Sequence, residues 1–174
     1  YIGMLAVGRG IDIILEAFAK TKTDSVVVFL GYGNYRDKIE EQGRKRKNVF
    51  VHDRVPHNQV VALAKSADFG LCLVENISLS DYLCIPNKLI EYAFSGLPVV
   101  ASKLPEIQRV VEEYKLGECF DNSAEQLLEV LEKNQTGEYV QRVEGVNLEA
   151  LGWQTQAFKL ESVFRHVSDE RGVV

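Results

Sequence analysis

The sequence is poor in the features that mark metal, membrane and nucleic-acid proteins. Its 174 residues hold only three cysteines and three histidines. Cys72, Cys84 and Cys119 contain no CxxC pair and are odd in number. That fits neither a disulfide framework nor a zinc site, and points to a reducing, cytoplasmic setting. His52 and His57 have no carboxylate or cysteine at ligand spacing, so no metal is expected. No apolar run approaches the roughly 20 residues of a membrane span. Basic residues are in deficit, 20 Lys and Arg against 25 Asp and Glu, for a net charge of −5. A nucleic-acid partner would ask for a basic face. The chain also lacks an initiator methionine and a basic leader. It opens on Tyr1-Ile2-Gly3, inside what reads as a strand, and the expectation is a piece of a longer protein without a signal peptide.

What is present is a globular composition, 46% hydrophobic and 26% charged, in a chain long enough for one well-buried domain. Short apolar runs alternate with amphipathic stretches, the pattern of a parallel α/β sheet covered on both faces. Strands are predicted over 1–6, 26–30, 49–51, 69–74, 98–101 and 118–120. Helices are predicted over about 11–20, 34–46, 57–65, 87–95, 105–113, 123–133 and 136–145, with 75–85 a long loop. A last helix begins at Trp153 and carries Trp153, Ala157, Leu160, Phe164 and Val167 on one stripe. One domain over 1–167 and a frayed tail over 168–174 are expected.

Ligands of open α/β sheets bind beyond the carboxyl ends of the strands. Four stretches fall there: Ala6 to Gly10, Gly31 to Asn34, His52 to Pro56 and Glu75 to Pro86. The densest motif runs Ser80-Asp81-Tyr82-Leu83-Cys84-Ile85-Pro86-Asn87-Lys88-Leu89-Ile90-Glu91-Tyr92, then Gly96-Leu97-Pro98-Val99-Val100-Ala101. Pro86 is expected at the first helical position and Gly96 in a left-handed stop. Lys88 and Glu91 share a face near the electropositive end of this helix. Leu89, Ile90, Ala93 and Phe94 are expected to pack on the sheet. Free N–H groups and an ammonium suit phosphate, and a carboxylate one turn in suits hydroxyls. Those are the needs of a nucleotide or nucleotide sugar; the plainer alternative is an exposed Lys88–Glu91 ion pair. Arg9, before the turn at Gly10, either forks across phosphate oxygens or is a surface arginine. Gly31-Tyr32-Gly33 either lets the backbone approach a ligand or makes an ordinary tight turn. His52-Asp53-Arg54-Val55-Pro56 either reads a base edge or only turns the chain. Arg44 to Lys47 reads as a solvated helix end, with contact to an anionic membrane as the sharper alternative.

These motifs resemble the C-terminal, donor-binding domain of retaining glycosyltransferases of the GT-B fold, family 4 (group 1 glycosyltransferases). Tyr1-Ile2-Gly3 through Arg9-Gly10-Ile11-Asp12 resembles that domain's opening strand, loop and helix. Gly31-Tyr32-Gly33 resembles its second glycine turn, and Ala67-Asp68-Phe69-Gly70-Leu71 the strand before its donor loop. Trp153 begins something like its closing helix. The resemblance implies a Rossmann-like doubly wound parallel sheet, one half of a two-domain GT-B architecture whose N-terminal acceptor domain is absent from this chain. It implies a catalytic set of Arg9 and Lys88 on the diphosphate and Glu91 on the ribose. Gly3, Gly31, Gly33, Arg54, Val55, Ser80, Asp81, Pro86, Asn87 and Leu89 would line the donor site. Two positions depart from the family: Met4 stands where a second arginine is usual, and Leu83 where the first glutamate of the usual pair falls. Ser80 and Asp81 lie near enough to replace that glutamate's sugar contact. A Pro-x-Lys-x-x-Glu subset of the family fits this chain better.

The implied activity is retaining transfer of a hexosyl group from a UDP- or GDP-type nucleotide sugar to a saccharide or lipid-linked acceptor, as in polysaccharide biosynthesis. No cofactor and no metal are expected. The expected partners are the donor, the chain's own N-terminal domain and the acceptor. No nucleic acid is expected, and peripheral contact with the cytoplasmic membrane face is a further option. This piece alone is expected to bind donor weakly and to transfer nothing. Two alternatives stand beside this reading: half of a nucleotide-sugar epimerase, and a non-catalytic domain that kept the fold, the latter favoured by Met4 and Leu83.

Overall fold

The computed structural model describes residues 1–137, 143 and 145–171. Their contacts divide into one unit over Tyr1–Glu144 and a second over Gly145–Val174. The first unit carries six strands: β1 (Ile2–Met4), β2 (Val27–Tyr32), β3 (Val49–His52), β4 (Gly70–Cys72), β5 (Val99–Ser102) and β6 (Gly117–Phe120). All pair in parallel, in two ladders of order β1-β2-β3 and β4-β5-β6. β4 and β5 are buried at every position, so they read as continuous apolar runs rather than alternating ones.

Helices connect the strands: α1 (Ile11–Lys20), α2 (Arg36–Lys45), α3 (His57–Ala64), α4 (Leu79–Tyr82), α5 (Asn87–Ser95), α6 (Pro105–Glu113) and α7 (Ala124–Gln135). α1 packs on α7, and α3 on α5. Ile11, Ile14, Leu15 and Phe18 of α1 meet Leu127, Val130 and Leu131 of α7 in one core that also takes Phe29 of β2 and Leu71 of β4. The spacing of those residues makes one apolar stripe on each helix. The crossing from β3 to β4 is where the winding reverses, the place at which open α/β sheets leave a crevice.

β1 and β4 abut without pairing, and one side chain joins them. The Tyr92 hydroxyl accepts from the Ile2 N–H at 2.9 Å and donates to the Leu71 carbonyl at 3.4 Å. Its ring fits because Gly70 has no side chain: a Cβ there would stand within 2.5 Å of the ring. The expected single sheet therefore has a seam, bridged by a phenol instead of a backbone ladder.

Three local differences from expectation have physical causes. β2 runs on through Gly31, which pairs with Gly3; a Cβ on Gly31 would overlap the Gly3 carbonyl, so the close approach there needs a glycine at 31. The 75–85 loop contains α4, because the Ser78 hydroxyl caps it by accepting from the Asp81 N–H at 3.1 Å. Of the helix expected over 136–145, residues 138–142 and 144 lie outside the described residues, while Gly137 turns the chain at φ 76°. In the second unit a short 3-10 turn (Glu149–Leu151) precedes α8 (Trp153–Arg171), with the Gln156 amide donating to the Ala150 carbonyl at 2.6 Å. The stretch expected to fray from 168 is helical through Arg171.

Candidate functional site

The local chemistry of α5 sets the site. Pro86 sits one residue earlier than expected, at the N-cap, extended at φ −69° and ψ 141°. Gly96 closes the helix in the left-handed conformation at φ 69°, as a residue without a Cβ can. No side chain caps the N-terminus, which keeps its partial positive charge. Leu89, Tyr92 and Ala93 form the buried stripe. Phe94, expected on it, is 44% exposed, because it stands one position beyond the i, i+3, i+4 set.

Lys88 flanks that stripe and is drawn in with it, 8% exposed. Its Nζ is buried and has no hydrogen-bond partner among the described residues. The ammonium lies 3.8 Å from the centroid of the Tyr1 ring, a cation–π contact. It passes over Gly3, where a Cβ would stand 3.5 Å from Lys88 Cε. Burial lowers its pKa to about 8; Arg9 adds to the lowering, and Cys72, Glu91 and Cys84 oppose it. The exposed Lys88–Glu91 ion pair allowed by the spacing is absent from the ion pairs of the described residues. Glu91 instead faces His57, with Oε1 3.6 Å from Nδ1. Burial raises the Glu91 pKa, against the pull of His57 and Lys88.

Arg9 is engaged as well. Its Nη1 donates to Asp81 Oδ1 at 2.8 Å. Asp81 Oδ2 accepts from the Ser78 hydroxyl at 2.6 Å. These two bonds, Ser78's first, hold the Asp81 pKa below its ordinary value. Behind Arg9, the Glu75 carboxylate accepts from the Gly10 N–H at 3.1 Å.

These groups surround a cleft of about 570 Å³ whose wall draws on β1, β2 and the start of α5. The wall takes in Gly3, Arg9, Gly31, Arg54, Val55, Ser80, Asp81, Pro86, Asn87, Lys88 and Glu91, all of them sequence candidates. Gly33 and Leu89 are not brought there. At Gly33 a Cβ would overlap the Leu5 carbonyl, so that glycine serves a close chain approach. Leu89 is fully buried in the core, where the helix stripe puts it. Sequence reasoning missed Tyr32, His57 and Cys84, which line the same cleft. Tyr32 lies under the Arg54 guanidinium, 5.5 Å from centroid to Cζ. Its place at the carboxyl end of β2 was the available signal. No metal-holding group of three or more His, Cys, Asp or Glu occurs among the described residues.

A family model described as Glycosyl transferases group 1 matches residues 1–134. The chain belongs to that family. Among solved structures, it resembles AviGT4, a glycosyltransferase involved in avilamycin A biosynthesis, at TM-score 0.68 and 18% identity, over 96% of this chain and 51% of that one. It resembles WaaG, a glycosyltransferase involved in lipopolysaccharide biosynthesis, at TM-score 0.57 and 26% identity, over 78% and 38%. It resembles HepE of Anabaena, in complex with UDP, at TM-score 0.65 and 17% identity, over 92% and 48%. No curated protein matches it. This group 1 glycosyl transferase chain spans about half or less of the length of these relatives. Its fold is a Rossmann-like parallel α/β domain matching one domain of the larger, two-domain GT-B glycosyltransferases.

The group 1 glycosyl transferase keeps a charge in its core, and its stability should register that. In the unfolded chain Lys88 titrates near 10.5, and in the fold near 8. Between those values the unfolded chain holds more protons, so stability rises with pH across the window. Below about pH 8 the whole penalty is present, roughly 3 kcal/mol. Urea unfolding followed from about pH 8 to 9.5, above the unfolded value of the buried Tyr1 amino group, should show the rise, and Lys88→Met should flatten it. An equal rise in the variant would assign the effect to another group.

Proposed function

We propose that this chain is the C-terminal, donor-binding half of a retaining GT-B glycosyltransferase of family 4. It takes a nucleoside diphosphate sugar of UDP or GDP type and presents its hexosyl group to a saccharide or lipid-linked acceptor held by a separate N-terminal domain. The observation that carries this reading is the Lys88 ammonium. It is buried, has no hydrogen-bond partner among the described residues and lines the cleft. A buried charge is destabilising unless something pairs with it. A ligand anion at the seam would do so.

The roles follow from placement. Lys88 and Arg9 neutralise the departing diphosphate, where the transition state gathers charge. The uncapped N-terminus of α5 adds a positive dipole end beside them. Glu91 accepts the ribose hydroxyls, with His57 beside it. Arg54 and Val55 border the base, with Tyr32 under Arg54. Ser80 lies on the sugar side, whereas Asp81 is turned to Arg9. HepE, similar in fold, is a UDP and UDP-glucose complex, which favours uridine.

Calorimetric titration of the domain with UDP, GDP and ADP tests the reading. One nucleotide should bind saturably, and Glu91→Ala should weaken it by about ten- to a hundredfold, the loss of charge-assisted hydrogen bonds worth roughly 1.5–3 kcal/mol. Binding that is unchanged in Glu91→Ala would remove the ribose role. Turnover of a nucleotide sugar by the domain alone would remove the need for a second half.

A further inference from the structure

We propose that Asp81 is a built-in counter-anion for Arg9, which a diphosphate must displace to gain the arginine. The inference rests on the donor-site reading above and assigns Asp81 a part opposite to the sugar contact expected for it.

Three observations carry it. Arg9 and Asp81 are joined at 2.8 Å, and both line the cleft. The carboxylate's second oxygen is held by Ser78, so Asp81 is clamped from both sides, with its side chain only 13% exposed. Leu79 and Leu83, either side of it, are exposed, so neither leucine anchors α4 by packing. Its base is pinned: the Glu75 N–H donates to the Gly8 carbonyl at 3.1 Å, and Ile77 covers Gly8.

The electrostatic consequence is direct. With Asp81 on Arg9, an entering diphosphate meets Lys88, which has no hydrogen-bond partner among the described residues, and also meets a carboxylate. With Asp81 swung away on α4, it gains Arg9 beside Lys88 and loses a like charge. A diphosphate presents more charge than one carboxylate and can fork across the guanidinium, so it wins the exchange. Asp81 thereby sets how much anionic charge a ligand needs in order to bind.

The test is calorimetric titration of wild type, Asp81→Asn and Ser78→Ala with inorganic pyrophosphate and with UDP, GDP and ADP. Both variants should bind pyrophosphate, and the nucleotide that binds, about three- to tenfold more tightly. Ser78→Ala alters no charge, so tightening there reports release of the clamp. Tightening in Asp81→Asn alone would reduce Asp81 to simple repulsion and overturn the proposal. Unchanged or weaker binding in Asp81→Asn would overturn it too. Tighter pyrophosphate in both variants, with no nucleotide bound by any protein, would uphold the exchange and remove the donor reading. Nucleotide binding without tightening would do the reverse. Neither anion bound by any of the three proteins would remove both.

Discussion

Lys88→Met should stabilise the domain and strip it of its affinity for nucleoside diphosphates. The ammonium is buried and without a hydrogen-bond partner among the described residues, with the face of Tyr1 as its nearest compensation. Methionine has a similar length and an apolar, adaptable tip, so it can occupy the channel over Gly3 without overpacking. Removing the desolvated charge should gain roughly 1–3 kcal/mol of unfolding free energy at neutral pH. The same change deletes a charge-assisted contact to the diphosphate, roughly 1.5–3 kcal/mol, or about a ten- to hundredfold loss in affinity. Urea unfolding and nucleotide titration on one preparation check both halves. A variant that is less stable, yet binds as before, would make Lys88 a packing residue and remove the central support for the donor site.

Gly10→Ala should be strongly destabilising. Gly10 stands at φ 68° at the N-cap of α1, and an added Cβ would overlap Leu73 Cβ and lie 2.7 Å from the Leu73 carbonyl oxygen. Leu73 is fully buried, and Gly10 also donates its N–H to Glu75. Left-handed strain and overpacking together should cost roughly 2–4 kcal/mol. Gly137→Ala is the control. It shares the positive φ, 76°, but no atom of the described residues lies within 4 Å of the added carbon, so only the strain, about 1–2 kcal/mol, should appear. Equal losses at the two positions in denaturant unfolding would show that the contact with Leu73 yields without penalty.

The elements were legible because their signals are local. Gly96 and Pro86 bracket α5, and the apolar spacing of Ile11, Ile14, Leu15 and Phe18 gives α1 nearly to the residue. The members of the cleft were legible because they stand at the carboxyl ends of strands or on the first turns of α5. What each does to its neighbour was not. Lys88 is buried because Gly3 and Tyr1, on a strand far away in sequence, leave it a channel. Arg9 meets Asp81 across 72 residues, and Ile2 meets Tyr92 across 90. No periodicity along the chain encodes a pairing made across the seam. The same gap explains the choice of Phe94 over Tyr92 as a packing residue. Both are aromatic; Tyr92 falls on the i, i+3, i+4 stripe and supplies the hydroxyl between Ile2 and Leu71, whereas Phe94 stands one position beyond it.

That phenol bridge bears on the order in which the protein comes together. Ladder partners are near one another along the chain, Ile2 with Leu30 and Gly70 with Val99. The bonds across the seam join residues 65 to 90 apart. Closing long loops takes more chain entropy than closing short ones. The ladders are thus local in sequence and the contacts that join them are not. Gly3 and Gly31 reach the cleft from one ladder's side, Val74 and Lys88 from the other's. The cleft is thus complete only when both ladders are in place. The tyrosine hydroxyl that ties Ile2 to Leu71 lies at the join on which it depends.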